Sequence, residues 1–168
     1  QLLEGWKYAA KSVPIRSIIA LLALVSLLGV PYVVLMPIFA GHILGGGPHT
    51  LGFLMTATGA GALIGALWLA SRKSVRGLSR VIPSSCFVFA AGLIAFSFSK
   101  TLWLSFALLI ITSCGFMIQM ASCNTILQTI VEDDKRGRVM SLFVMAFMGS
   151  APFGSLLTGS LSEKIGAP

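Results

Sequence analysis

Apolar residues run along this chain in long unbroken stretches, and the polar residues collect between them. Five stretches stand out, roughly 15–40, 50–70, 81–99, 102–131 and 139–161. None alternates apolar and polar positions with period two, so the expected elements are helices and not barrel strands. The shortest holds roughly 19 residues, enough at about 1.5 Å each to cross a hydrocarbon core of about 30 Å. The pattern predicts an all-α, polytopic membrane protein with five transmembrane helices. Residues 1–14 stand apart as a short amphipathic segment, QLLEGWKYAAKSVP, with Trp6 and Tyr8 as interface anchors and Pro14 at its end.

Threading the stretches alternately through a bilayer sorts the charge. Lys7, Lys11, Arg16, Arg72, Lys73, Arg76, Arg80, Lys135, Arg136 and Arg138 fall on one side, and only Lys100 and Lys164 on the other. Basic residues in short loops remain cytoplasmic, so the N-terminus and residues 1–14 are expected inside, with Pro168 outside. This is the arrangement of a multi-pass protein of the cytoplasmic (inner) membrane. A hydrophobic fraction of 56% with only 10% charged residues leaves too little polar surface for a soluble domain. The mean hydropathy of +0.93 agrees. The net charge of +7 lies in three short segments flanking spans, where it can meet anionic lipid headgroups. No basic stripe interleaved with aromatics is present, so nucleic acid is not an expected partner. Cys86, Cys114 and Cys123 all lie inside spans without metal-ligand spacing and read as small packing residues. No metal or cofactor is expected.

Individual spans differ in character. Gly29, Pro31 and Pro37 predict a kink in the outer half of the first. The outer turn GHILGGGPHT reads as a flexible connector, because it follows no strand and opens no P-loop. Its His42 and His49 read as solvated loop side chains. In the second span Gly61 and Gly65 form a small-residue pair that lets another helix approach closely. The third, VIPSSCFVFAAGLIAFSFS, has few strong polar groups and is expected at the lipid-facing periphery. The fifth carries Gly149, Pro152, Gly154 and Gly159, with Ser150/Gly154 and Ser155/Gly159 spaced for close packing.

The fourth span concentrates polarity: Thr112, Ser113, Gln119, Ser122, Asn124, Thr125, Gln128 and Thr129. An amide in hydrocarbon is expensive without a partner, so Gln119 and Asn124 should face other helices or a watery cavity. Hydrogen bonding between helices and cavity lining both satisfy that demand. After it comes VEDDKRGRVMS, read as a cytoplasmic loop in which Glu132, Asp133 and Asp134 meet Lys135, Arg136 and Arg138 and clip two helix ends together.

That string with its sequel, VEDDKRGRVMSLFVMAFMGSAPFGSLLTGSLSEKIG, resembles the loop and following helix of a major facilitator superfamily transporter. The nearest likeness is to the bacterial branch of enterobactin and multidrug exporters. The WKY segment, VPYVVLMPIFA, GGGPHTLGFLM and the basic loop extend the resemblance over nearly the whole chain. It implies that the five spans are helices seven to eleven of a twelve-helix bundle. Residues 15–168 would then be a partial C-terminal bundle whose partner, the N-terminal six-helix half, precedes Gln1.

One departure concerns the basic loop bearing Arg72 and Arg76. It stands where the family has a G-x-x-x-D-R-x-G-R-R element, yet it reads GALWLASRKSVRG, with Ala70 and Ser71 in the acidic position. The string from Gly159 to Gly166 resembles the same element but follows an inside-to-outside helix, so it is expected to cap the outer face.

The function implied is secondary active transport, exporting small amphipathic molecules such as drugs or siderophores by alternating access. Resemblance places the first and fourth spans around the central cavity, with Gln119 and Asn124 offering hydrogen bonds. Tyr32, Met36, Met117, Met120 and Phe147 would supply adaptable apolar contact. Pro31, Pro37, Gly61, Gly65, Pro152, Gly154 and Gly159 would let helices pack and bend. Protons are the implied coupling ion. No Asp, Glu, Lys, Arg or His lies in the interior of a span here, so the coupling group would belong to the other half. A non-transporting membrane scaffold or assembly partner is the rival reading, favoured by that same lack of intramembrane charge. No H-E-x-x-H, G-x-S-x-G or paired intramembrane Asp supports an enzyme.

Overall fold

A computed structural model describes residues 2–165 of the chain. Among them there are no strands, and seven α-helices follow one another: α1 Leu2–Lys11, α2 Val13–Leu28, α3 Tyr32–Ile38, α4 Pro48–Ala70, α5 Leu78–Ser97, α6 Leu102–Ile130 and α7 Asp133–Ile165. Five segments are long and apolar enough to cross a membrane: Val13–Ile43, Pro48–Ala70, Leu78–Ser97, Leu102–Ile130 and Asp133–Leu161. The protein is an all-helical, multi-pass membrane protein.

The first span is compound. Pro31 has no N–H to continue the ladder, and the chain turns between α2 and α3. Gly29 and Val30 both donate to the Val25 carbonyl (2.8 and 3.1 Å), after which Tyr32 donates to Gly29 (3.3 Å). Shortly beyond Pro37 the helix widens into a π-helical turn, Phe39–Ile43. Pro14 does not end the amphipathic segment, as its position suggested. It occupies the opening turn of α2, where a missing N–H costs nothing, and the break falls at Ser12.

The basic loop after α4 closes at Gly77, whose φ of +85° belongs to the left-handed region that favours glycine. Arg80 therefore lies in the first turn of α5. The acidic-basic string is also more helical than expected. Only Val131 and Glu132 connect α6 to α7, and Asp133 and Asp134 sit in the first turn of α7, where carboxylates meet the positive end of the helix dipole.

Two close helix contacts organise the bundle, each made through a glycine. α4 runs parallel to α6, with Gly61 against the Ile110 carbonyl and Gly65 against the Cys114 carbonyl; a Cβ at Gly65 would lie 2.8 Å from that oxygen. α7 runs parallel to α2, with Gly154 against the Leu27 carbonyl and the Pro31 ring. The two contacts are alike in form and opposite in direction across the membrane. α5 packs antiparallel on α6, with Gly115 close to the Ser85 carbonyl and Gly92 facing the Thr112 side chain. The outer face of α5 is bare, Phe87 being 73% and Ile94 63% exposed, as suits a helix against lipid.

The buried residues fall into two apolar clusters at different depths. One, toward the basic end, joins Ile15, Ile18, Leu22, Ile82, Leu127, Val139 and Phe143. The other, toward the Gly-rich turn, joins Met36, Phe39, Leu54, Ala57, Phe96 and Leu109.

Candidate functional site

Between those clusters lies a layer that is polar although it is buried. Ser26 of α2, Ser85 of α5, and Thr112, Ser113, Gln119 and Ser122 of α6 are each at most 6% exposed. The helical period explains the layer on α6: Thr112, Gly115, Gln119 and Ser122 recur every three or four residues and share one face. Several members are satisfied locally. The Ser26 hydroxyl donates to the Phe147 carbonyl (2.5 Å), tying α2 to α7. Those of Thr112 and Ser85 donate to carbonyls one turn back, at Leu108 and Val81 (2.7 Å each). Three rings run beside them, Phe89, Phe116 and Phe147, with centroids 5.2 and 6.2 Å apart.

Gln119 is not satisfied. It is fully buried, and neither its Oε1 nor its Nε2 has a hydrogen-bond partner; the buried hydroxyls of Ser113 and Ser122, before and after it on α6, lack one as well. A buried polar group left unpaired costs about 1–3 kcal/mol.

The other residues singled out from sequence are distributed around this layer. Asn124 is half-buried one turn toward the basic end and accepts a hydrogen bond from exposed Gln128. These two amides, not Gln119, form the accessible polar strip of α6. Met117 meets α4 at Gly65, and Met120 packs on the cluster at the basic end. Met36, 2% exposed, lies inside the opposite cluster, with Tyr32 packed against it. Phe147 joins the ring series. Gly61, Gly65, Gly154 and Pro31 are helix contacts, whereas Pro37 and Pro152 are exposed and a Cβ at Gly159 would meet nothing within 4 Å.

The charged string makes short-range pairs. Lys135 pairs with Glu132, and Arg136 with Asp133 at 2.5 Å, each three residues apart. They do not bridge two helices. The contact that does is Lys135 over the Tyr8 ring, 4.8 Å from its centre, which joins α7 to α1. Arg138 sits in α7, half-buried, and Arg76 is exposed in the basic loop. The expected outer cap from Gly159 to Gly166 runs beyond the described residues.

Ser26 and Ser85 are the residues that sequence reasoning passed over. Ser26 is a lone hydroxyl in ALVSLL and Ser85 one of two in IPSSCF, and only the depth each shares with Gln119 distinguishes it. As a whole the layer offers donors and acceptors without charge. No cluster of three His, Cys, Asp or Glu side chains forms among the described residues.

Comparison with curated proteins and with solved structures finds no match. A family model described as transmembrane secretion effector matches residues 1–168, the whole of the sequence. With its membrane-crossing helices and uncharged polar layer, the chain belongs to the transmembrane secretion effector family of major facilitator-type transporters.

Proposed function

We propose that this chain is the helix-seven-to-eleven portion of a twelve-helix exporter that moves small amphipathic molecules, drug-like or siderophore-like, out of the cell by alternating access. The observation that carries this is the unpartnered Gln119 amide within a buried polar layer, with the Asn124–Gln128 strip one turn below it on the same helix. A rigid scaffold gains nothing from an orphaned amide. A helix that changes neighbours during a cycle can expose one. Outward direction accords with the family's description as a secretion effector.

In this reading α2 and α6 border the cavity, and Tyr32, Met36, Met117, Met120 and Phe147 become its apolar wall as the helices part. The basic loop lies on the cytoplasmic side of the inner membrane. Protons drive the cycle through a titratable group in the N-terminal half, since the polar layer here holds none.

The test is transport by the whole protein in proteoliposomes with an imposed pH gradient. Gln119→Leu and Asn124→Leu should each lower the initial rate at least about tenfold, the order associated with a lost recognition hydrogen bond. Unchanged rates in both variants would sink the assignment of α6 to the cavity.

A further inference from the structure

On the face of α6 opposite the one that meets α2 and α7, a groove of about 490 Å³ opens between α4 and α5. Its floor is Ile111, Cys114 and Ile118, and its walls include Trp68 and Val88. From Ile110 to Ile118 the floor extends about 12 Å at 1.5 Å per residue, close to the half-thickness of a hydrocarbon core. Toward its basic end lies a second hollow of about 150 Å³, bounded by Arg72, Lys73, Ser74, Leu78 and Thr125. Arg72 borders both.

The charge around that hollow has one sign. Residues 71–80 hold Arg72, Lys73, Arg76 and Arg80 and no acid. Of the carboxylates at 132–134, Glu132 and Asp133 are taken by Lys135 and Arg136. Arg72 has no acidic partner among the described side chains; its guanidinium rests 5.1 Å from the Trp68 ring centre and donates to the Arg76 carbonyl. Leu78, at the hollow's edge, begins α5, whose first turn has neither a side-chain cap nor an acidic residue. The N–H groups of Leu78, Arg80 and Val81 are taken by the Val75 and Gly77 carbonyls, so what the helix start adds there is the positive end of its dipole.

We propose that the groove and the basic hollow together form a binding site for one anionic phospholipid of the leaflet on the basic side. The phosphate sits on Arg72, Lys73 and the Ser74 hydroxyl, and one acyl chain lies along α6 beside Trp68. An apolar trough of leaflet depth and a basic hollow that share Arg72 as a wall select this occupant over a soluble anion, which has no use for the trough. The site stands independently of which substrate the protein carries.

Trp68 is a reporter already in place. In a background where it is the sole tryptophan, the protein is reconstituted into phosphatidylcholine vesicles containing a minor fraction of phosphatidylglycerol. Brominated chains are placed on one lipid or on the other. Quenching should reveal a preference of about fivefold for phosphatidylglycerol, the order expected from one basic residue at an anionic surface. Arg72→Gln with Lys73→Gln should abolish that preference, whereas Lys100→Gln should leave it. In the unsubstituted protein added salt should erode it, a readout that depends on no variant folding. Equal quenching by the two lipids would reduce the site to ordinary boundary lipid and overturn the proposal. Absence of quenching by either would mean that protein covers the groove, and would overturn it as well. So would a preference that survives the double substitution or ignores salt.

Discussion

Gly61 lies so close to the carbonyl oxygen of Ile110 that a Cβ in its place would overlap the oxygen. The obstacle is backbone and cannot swing aside. Gly61→Ala should therefore destabilise the bundle by about 1–3 kcal/mol, the usual range for overpacking. Gly59→Ala, where a Cβ meets nothing within 4 Å, should change stability by less than about 0.5 kcal/mol. Reversible unfolding of the purified protein in mixed micelles distinguishes the two. Gly154→Ala should behave like Gly61→Ala, because it presses on the Leu27 carbonyl in the same way.

Gln119→Leu should make the protein more stable and less active. Leucine fills a similar space and removes two orphaned polar atoms, a relief of about 1–3 kcal/mol in unfolding free energy. Transport should fall in the same variant, the trade familiar from sites that keep unsatisfied groups for use. Lowered stability would show that the amide has a partner after all.

Tyr8 and Lys135 hold the amphipathic helix α1 to the start of α7. Replacing Tyr8 with Leu keeps the apolar contact and removes the ring face. Amide hydrogen exchange across α1 should accelerate several-fold in Tyr8→Leu and Lys135→Gln alike, and no further in the double variant. Additive acceleration would mean that the residues act separately.

Orientation is open to chemistry. With native cysteines removed, Ser74→Cys should react with a membrane-impermeant maleimide only after cells are permeabilised. Gly47→Cys should react in intact cells. The reverse pattern would invert the assigned topology.

Long helices and their number were legible because lipid demands uninterrupted apolar runs, and this chain has five. The Gly61–Gly65 pair was legible as a packing surface, since small residues one turn apart have few other uses in such a span. Charge was harder. Asp133 to Arg138 read as a loop because their composition is polar, but acids at a helix start are favoured by the dipole, and the chain coils from Asp133 onward. Gln119 and Asn124 looked alike in sequence. Five residues apart on a helix, they point about 140° from each other, so one is entombed and the other half-open. Polarity alone could not divide them; the register of α5 and α4 against α6 did.

The turn between α2 and α3 has a chemical sequel. Pro31 brings no N–H, Val30 donates to Val25 and Tyr32 to Gly29, so the backbone donors that would otherwise cap the Leu27 oxygen are absent or engaged elsewhere. In a hydrocarbon medium no water arrives to solvate it. What arrives is Gly154, whose bare Cα brings its weakly acidic hydrogens against that oxygen. The fifth span thus serves as local solvent for a flaw in the first. Any motion that straightens or deepens the bend must carry the two helices together or leave a dipole stranded in oil.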